Sequence, residues 1–141
     1  MKKKDEAKIE EAAYYLEAVQ RSMDRIQHKV ELKEQLKSSL LGGEIRYDKL
    51  GDIMCEVADM ENDIDGMLIR LQKIRARELK KIDRLSDLNE RIVLKRLYLD
   101  LEDIWTVKEH LGFHLHSVYR IRKRGLLNYY NLYLDKRLKK K

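Results

Sequence analysis

Residues 103–124 read DIWTVKEHLGFHLHSVYRIRKR and predict two short helices joined by a turn at Gly112. Asp103 is suited to cap the first helix, because its carboxylate can accept a hydrogen bond from a free amide of the first turn. Gly112 allows the left-handed conformation that ends many helices, and Phe113 follows it as an apolar plug. Apolar residues recur at helical spacing and predict a shared core of Ile104, Val107, Leu111, Val118 and Ile121.

The positive charge of the chain is concentrated in and after this stretch. Residues 104–141 contain ten Lys or Arg side chains against Glu109 and Asp135, which gives +8, whereas the other 103 residues sum to −2. A helical hairpin of any function needs a glycine at its turn and apolar residues facing inward. Only the charge therefore distinguishes a plain helical hairpin from a hairpin that binds DNA. Clustered cations favour a helix-turn-helix that binds double-stranded DNA.

Three segments between residues 86 and 130 stand out: ERIVLKRLY at 90–98, VKEHLG at 107–112 and SVYRIRKR at 117–124. Through these segments, residues 86–130 resemble region four of bacterial sigma factors, which reads the upstream element of a promoter. The chain is also similar to small phage transcription regulators of the ArpU and RinA type and to related streptococcal prophage proteins. Two positions depart from the usual pattern, since Lys108 stands where Ala or Gly is common and His114 replaces a capping Ser.

The resemblance implies a phage transcription regulator that acts beside host RNA polymerase or its sigma factor, without replacing a sigma factor. It also implies the DNA-binding residues. Those expected in the major groove are Leu115, His116, Tyr119, Arg120 and Lys123, with Arg120 matched to guanine. Those expected at phosphates are Lys108, Arg122 and Arg124, while His114 and Ser117 lie at the start of the second helix. The basic end, Lys136 to Lys141, is expected to contact phosphates without sequence preference.

The N-terminal half contains two apolar stripes with alternating spacings of three and four residues. The first consists of Ile9, Ala12, Leu16, Val19, Met23, Ile26 and Val30, and the second of Leu50, Ile53, Val57, Met60, Ile64, Met67, Leu71 and Ile74. With the break at Gly42-Gly43 they predict an antiparallel coiled-coil hairpin over residues 1–85. Pairing between chains in a homodimer would bury the same stripes, so both arrangements stay open. Ser86-Asp87 then begins a three-helix helix-turn-helix module over 86–141, and the whole chain is predicted to be all-α.

Composition excludes several other classes of protein. Charged residues make up 40% of the chain and Pro is absent, which is typical of long solvated helices. A single cysteine, Cys55, excludes an internal disulfide, and without an apolar run of about 18 residues we expect a cytoplasmic protein with no membrane span. No phosphate-binding glycine loop, CxxC pair or GxSxG motif occurs, so we expect no enzyme, catalytic residue or cofactor. His110, His114 and His116 could suggest a metal, but Gly112 separates them and no Cys or carboxylate completes a tetrahedral site.

Two alternative functions remain compatible with the same residues. A small terminase subunit for DNA packaging also combines a helix-turn-helix with assembly helices, although its DNA-binding module usually comes first. A protein that binds host sigma factor or polymerase through its coiled-coil helices would need no DNA.

Overall fold

A computed structural model of the protein describes residues 3–42 and 47–137. Its architecture consists of helices. No strand occurs in these two ranges, and the all-α prediction is confirmed. The α-helices are α1 (Lys3–Leu16), α2 (Ala18–Leu41), α3 (Leu50–Ile82), α4 (Leu88–Leu94), α5 (Ile104–Leu111) and α6 (Leu115–Tyr129). A 3-10 turn covers Tyr47–Lys49, and π-helical turns cover Lys95–Leu99 and Tyr130–Leu134. The predicted break at Gly43 and the basic end at Lys139, Lys140 and Lys141 lie outside the described residues.

The described residues divide into two compact units. The first consists of residues 3–20 and 74–137, and the second of residues 21–42 and 47–73. The boundary predicted at residue 85 is therefore not where the units divide. The helix α1 and the C-terminal end of α3, both assigned to the coiled-coil hairpin from sequence, belong to the same unit as α4, α5 and α6.

Local signals place α5, the turn and α6 where the sequence predicts them. One Asp103 carboxylate oxygen accepts from the Thr106 amide at 2.9 Å, and the other accepts from the Thr106 hydroxyl at 3.0 Å. Gly112 ends α5 with φ 67° and ψ 25°, and its amide donates to the Lys108 carbonyl at 3.0 Å. Because φ is positive, any residue with a Cβ would be strained there.

The core around this turn is built from branched aliphatic side chains. Val93, Val107 and Val118 are fully buried, and Ile121 is nearly so. The partly buried residues that pack around them are Leu97, Ile104, Leu111 and Phe113. Leu111 therefore lies at the edge of the core, and Val107 and Val118 hold its centre.

The helix α6 packs closely against α4 at Gly125. A Cβ added to Gly125 would lie 3.1 Å from Leu94 Cδ1 and 3.3 Å from Glu90 Cβ. Next to this contact, the Asn128 side-chain amide donates to Glu90 Oε1 at 2.5 Å. The helix α4 is itself capped by Asp87, which accepts from the Glu90 amide at 3.0 Å, as the Ser86-Asp87 pair predicted.

The helix α6 also packs against α1. The buried residues of α1 are Ile9, Ala12, Ala13 and Leu16, and the fully buried Leu126 and Tyr129 of α6 complete the apolar core of this unit. At the far end of this contact, Lys8 Nζ lies 5.6 Å from the centre of the Tyr130 ring. Small side chains such as those of Ala12 and Ala13 let two helices approach closely.

The backbone changes its hydrogen-bond pattern after the end of α4 at Leu94. Lys95–Leu99 forms a π-helical turn, and Leu101 then adopts a positive φ of 55°. The Arg75 guanidinium donates to two adjacent residues at the end of this turn, at 3.4 Å to the Leu99 carbonyl and at 2.6 Å to Asp100 Oδ1. These contacts hold an irregular segment that periodicity alone does not predict.

In the second unit, parts of α2 and α3 carry the predicted apolar stripes. Ile26, Val57, Ile64 and Leu71 are buried, whereas Met23 is 38% exposed. The two helices are joined by ion pairs from Lys29 to Asp63 at 3.2 Å and from Lys37 to Glu61 at 3.3 Å. In both pairs a lysine of α2 contacts an acidic residue of α3. None of the helices in the described ranges is long and apolar enough to cross a membrane.

Replacing Gly66 by alanine is expected to stabilise the protein. Gly66 lies inside α3, and a Cβ added there would have no atom within 4 Å. Because alanine loses less backbone entropy in a helix than glycine, the gain should be about 1 kcal/mol in the free energy of unfolding. Urea denaturation measures it, and Gly112→Ala, at a positive φ, should change stability in the opposite direction. A Gly66→Ala variant less stable than wild type would show that α3 is not a regular helix at this point.

Candidate nucleic-acid interface

The helix α6 has a buried stripe and an exposed stripe on opposite sides. Val118, Ile121, Gly125 and Tyr129 are buried and recur every three or four residues. His116, Arg120 and Lys123 are exposed and are spaced four and three residues apart. At 3.6 residues per turn these three side chains lie on one face, directed away from the core.

Five predicted DNA-binding residues meet on this exposed face. A surface concavity of about 410 Å³ is lined by His116, Tyr119, Arg120, Lys123 and Arg124. Three of these side chains are cations, and Tyr119 adds an aromatic ring that is 43% exposed. We call these five residues the α6 outer face. Its mixture of guanidinium, ammonium, imidazole and phenol groups can donate and accept hydrogen bonds at base edges and phosphates.

Arg122, predicted to contact a phosphate, instead makes contacts within the protein. It is half-buried, its Nε donates to the Tyr98 hydroxyl at 3.0 Å, and its guanidinium carbon lies 6.0 Å from the centre of the Tyr98 ring. Burial raises the pKa of the Tyr98 hydroxyl, and the Arg122 charge and hydrogen bond partly offset that effect. Arg122 therefore joins α6 to the π-helical turn after α4.

The other two predicted phosphate contacts have acidic neighbours. Lys108 is half-buried, and its ammonium lies 3.2 Å from Glu109 Oε1. Arg124 is exposed on the outer face, with its guanidinium 3.9 Å from Asp87 Oδ2. Exposed pairs of this kind contribute little to stability, so both cations can exchange their partner for a phosphate at low cost.

The residues at the start of α6 differ in their exposure. His114 holds the N-cap position with φ −71° and ψ 148°, is exposed, and makes no side-chain capping hydrogen bond. Leu115 and Ser117 are half-buried, so they are less accessible than His116. Of the nearby histidines, His110 has its Nδ1 2.8 Å from an Arg96 nitrogen and 3.4 Å from Glu102 Oε1. Within residues 3–42 and 47–137, no group of three His, Cys, Asp or Glu side chains could hold a metal ion.

Acidic residues of α1 adjoin the α6 outer face, which the sequence did not predict. A cleft of about 550 Å³ is lined by Arg122 and Lys123 from α6 and, from α1 and the residue after it, by Glu6, Ile9, Glu10, Ala13, Tyr14 and Glu17. A second cavity of about 400 Å³ brings Glu17 together with Tyr98, Tyr119 and Arg122. No local motif signals this, because it depends on α1 packing against α6.

The cap of α5 should make the stability of the protein depend measurably on pH. Hydrogen bonds from the Thr106 amide and hydroxyl hold the pKa of Asp103 below its usual range. A depressed carboxyl pKa contributes stability that is present above about pH 4 and is lost as pH falls through the folded-state value. Asp103→Asn keeps a good capping residue without the charge, so its melting temperature should fall less than that of wild type on acidification. If acidification lowered the melting temperatures of both proteins equally, this role of Asp103 would be contradicted.

Comparison with known proteins gives no match to this chain among protein-family models, curated proteins or solved structures.

Proposed function

We propose that this protein binds double-stranded DNA in a sequence-specific manner, with α6 in the major groove. The observation that carries the proposal is the α6 outer face, where five predicted DNA-binding side chains line one concavity opposite a buried stripe. An α-helix fits the major groove of B-form DNA, where each base pair presents a distinct pattern of donors and acceptors. A helix held rigidly by its own core can present its outer residues in a fixed register.

The roles proposed for individual residues combine the resemblance with the exposure of each side chain. Arg120 is central on the exposed stripe and is assigned to guanine, while His116, Tyr119 and Lys123 flank it. Arg124 and Lys108 are assigned to phosphates, and His114 is assigned to DNA contact at the start of α6. Arg122 is assigned to support of the outer face through Tyr98. Leu115 and Ser117, being half-buried, have smaller roles in contact with DNA.

The biological role that fits such a protein is transcription regulation by a phage-type regulator in the host cytoplasm. The resemblance of residues 86–130 to region four of sigma factors supports a regulator that acts with host RNA polymerase. The second unit, in which ion pairs join α2 and α3, offers a surface for a protein partner or a second copy of the chain.

Selection of bound fragments from a random-sequence DNA library tests the proposal. We expect recovered fragments to share a short motif that competes with unselected DNA for the protein. The Arg120→Ala variant should fail to enrich that motif. Recovery without any shared motif would leave only non-specific binding, and no recovery at low salt would overturn the proposal. Ring-sized oligomers by light scattering would instead favour a packaging subunit.

A further inference from the structure

We infer that Glu6, Glu10 and Glu17 form an acidic rim beside the α6 outer face and lower its affinity for DNA. The inference rests on the proposed function and adds an element of the DNA-binding surface that lies outside the helix-turn-helix. Its effect is on phosphates, so it should act on any duplex whatever its sequence.

The acidic rim and the outer face share their bordering residues. Lys123 lines both the concavity of the outer face and the cleft that contains Glu6 and Glu10. Tyr119 lines both that concavity and the cavity that contains Glu17. The carboxylates therefore adjoin the two residues at the α1 side of the outer face.

The packing of α1 fixes the backbone that carries these carboxylates. Glu6 and Glu10 lie on one side of α1, next to its buried side, and Glu17 is the residue that follows the helix. The buried side consists of Ile9, Ala12, Ala13 and Leu16, which anchor α1 in the first unit. The three acidic side chains are all exposed, so they face solvent or any ligand that occupies the cleft.

Electrostatics then gives the direction of the effect. DNA seated on Lys123 and Arg120 brings phosphates to the edge of the cleft, and carboxylates there repel them. Each carboxylate also reduces the positive potential of Lys123, which weakens its attraction for a phosphate. For three charges about one Debye length from the nearest phosphates, screened Coulomb repulsion corresponds to about a 3- to 10-fold loss of affinity.

The test compares two triple variants of the full chain that have the same net charge. The rim variant is Glu6→Gln, Glu10→Gln and Glu17→Gln, and the control is Glu31→Gln, Glu34→Gln and Glu56→Gln, all exposed residues of the second unit. Fluorescence anisotropy with a labelled random-sequence duplex measures affinity at two salt concentrations. Circular dichroism melts verify that both variants are folded.

The rim variant should bind about 3- to 10-fold more tightly than wild type at low salt, and the difference should shrink at high salt because screening weakens the repulsion. The control variant should bind nearly as wild type does. Equal affinities for the two triple variants, or weaker binding by the rim variant, would contradict the inferred effect of the acidic rim. The proposed DNA binding would be unaffected if wild type still binds the duplex. A wild-type protein that binds no duplex would overturn the proposed function and the rim together.

Discussion

Replacing Arg120 by alanine is expected to weaken binding to the selected DNA site by about 5- to 150-fold while leaving scrambled DNA nearly as well bound. The range corresponds to the roughly 1–3 kcal/mol of discrimination that a bidentate arginine–guanine contact supplies. Arg120 is exposed in the middle of the stripe from His116 to Lys123, and its planar guanidinium matches two acceptors on one base.

The matched control is Arg137→Ala. It removes the same charge from an exposed side chain that pairs with Asp135 and lies outside the outer face. A cation that meets only phosphates contributes to affinity for every sequence and to the salt dependence of binding. Arg137→Ala should therefore weaken binding slightly and equally on both duplexes.

Titrations at two salt concentrations, on the selected and scrambled duplexes, distinguish the two roles of a cation. Equal losses on both duplexes for Arg120→Ala would make Arg120 a phosphate contact. The reading face of α6 would then be rotated, with His116 and Tyr119 as the next residues to replace.

Arg122 illustrates what a sequence motif can and cannot predict about such a face. In the motif it stands among basic residues and resembles a phosphate contact. In the structure it lies on the inner side of α6, where the Tyr98 hydroxyl accepts its Nε hydrogen bond. A helical periodicity places Arg122 next to Val118 and Tyr129 on the wheel, but only the partner Tyr98 explains why a cation lies there.

The segment from α5 through the turn at Gly112 to α6 was predictable because its determinants are local. The cap at Asp103, the left-handed Gly112 and the start of α6 each depend on residues within a few positions of one another. Burial of Val107 and Val118 follows from their spacing across the turn. Caps and turns of this kind can be predicted from a single sequence.

The partner of α1 was not predictable from the same sequence. An apolar stripe shows which side of a helix is buried, but not which surface covers it. The stripe from Ile9 to Val30 was assigned to one coiled coil, yet Ile9 and Leu16 belong to the unit that contains α6, and Ile26 belongs to the other. The π-helical turn at Lys95–Leu99 also escaped prediction, because its extra residue per turn leaves no mark in composition.

Replacing Tyr129 by phenylalanine is expected to cost about 1–3 kcal/mol of the free energy of unfolding, a large part of the roughly 5–15 kcal/mol typical of a domain. Tyr129 is fully buried, and its hydroxyl donates to Glu78 Oε2 at 2.5 Å. Glu78 is itself only 3% exposed. Without the hydroxyl, a carboxylate oxygen loses its hydrogen bond while it stays buried, and an unpaired buried charge is costly.

The remaining neighbours of Glu78 do not compensate for that loss. The Arg77 and Lys81 nitrogens lie 3.5 Å and 3.7 Å from Oε1, the other carboxylate oxygen. The matched control is Tyr133→Phe, which removes the same atom from a partly buried hydroxyl that donates to the Lys81 carbonyl at 2.9 Å. Since that acceptor is neutral, the control should cost about 0.5–1.5 kcal/mol.

Alkaline pH provides an independent measure of the same contact. Burial, together with the hydrogen bond and charge of Glu78, raises the pKa of Tyr129 well above its usual value. Above about pH 10 a tyrosine of the unfolded chain loses its proton while Tyr129 of the folded protein keeps it, so stability falls as pH rises. Tyr129→Phe should lack this part of the decline, whereas Tyr133→Phe should retain it. Urea denaturation at neutral and alkaline pH measures both effects. Equal costs for the two variants at both pH values would mean that the Tyr129–Glu78 contact contributes no more than the partly buried hydrogen bond of Tyr133.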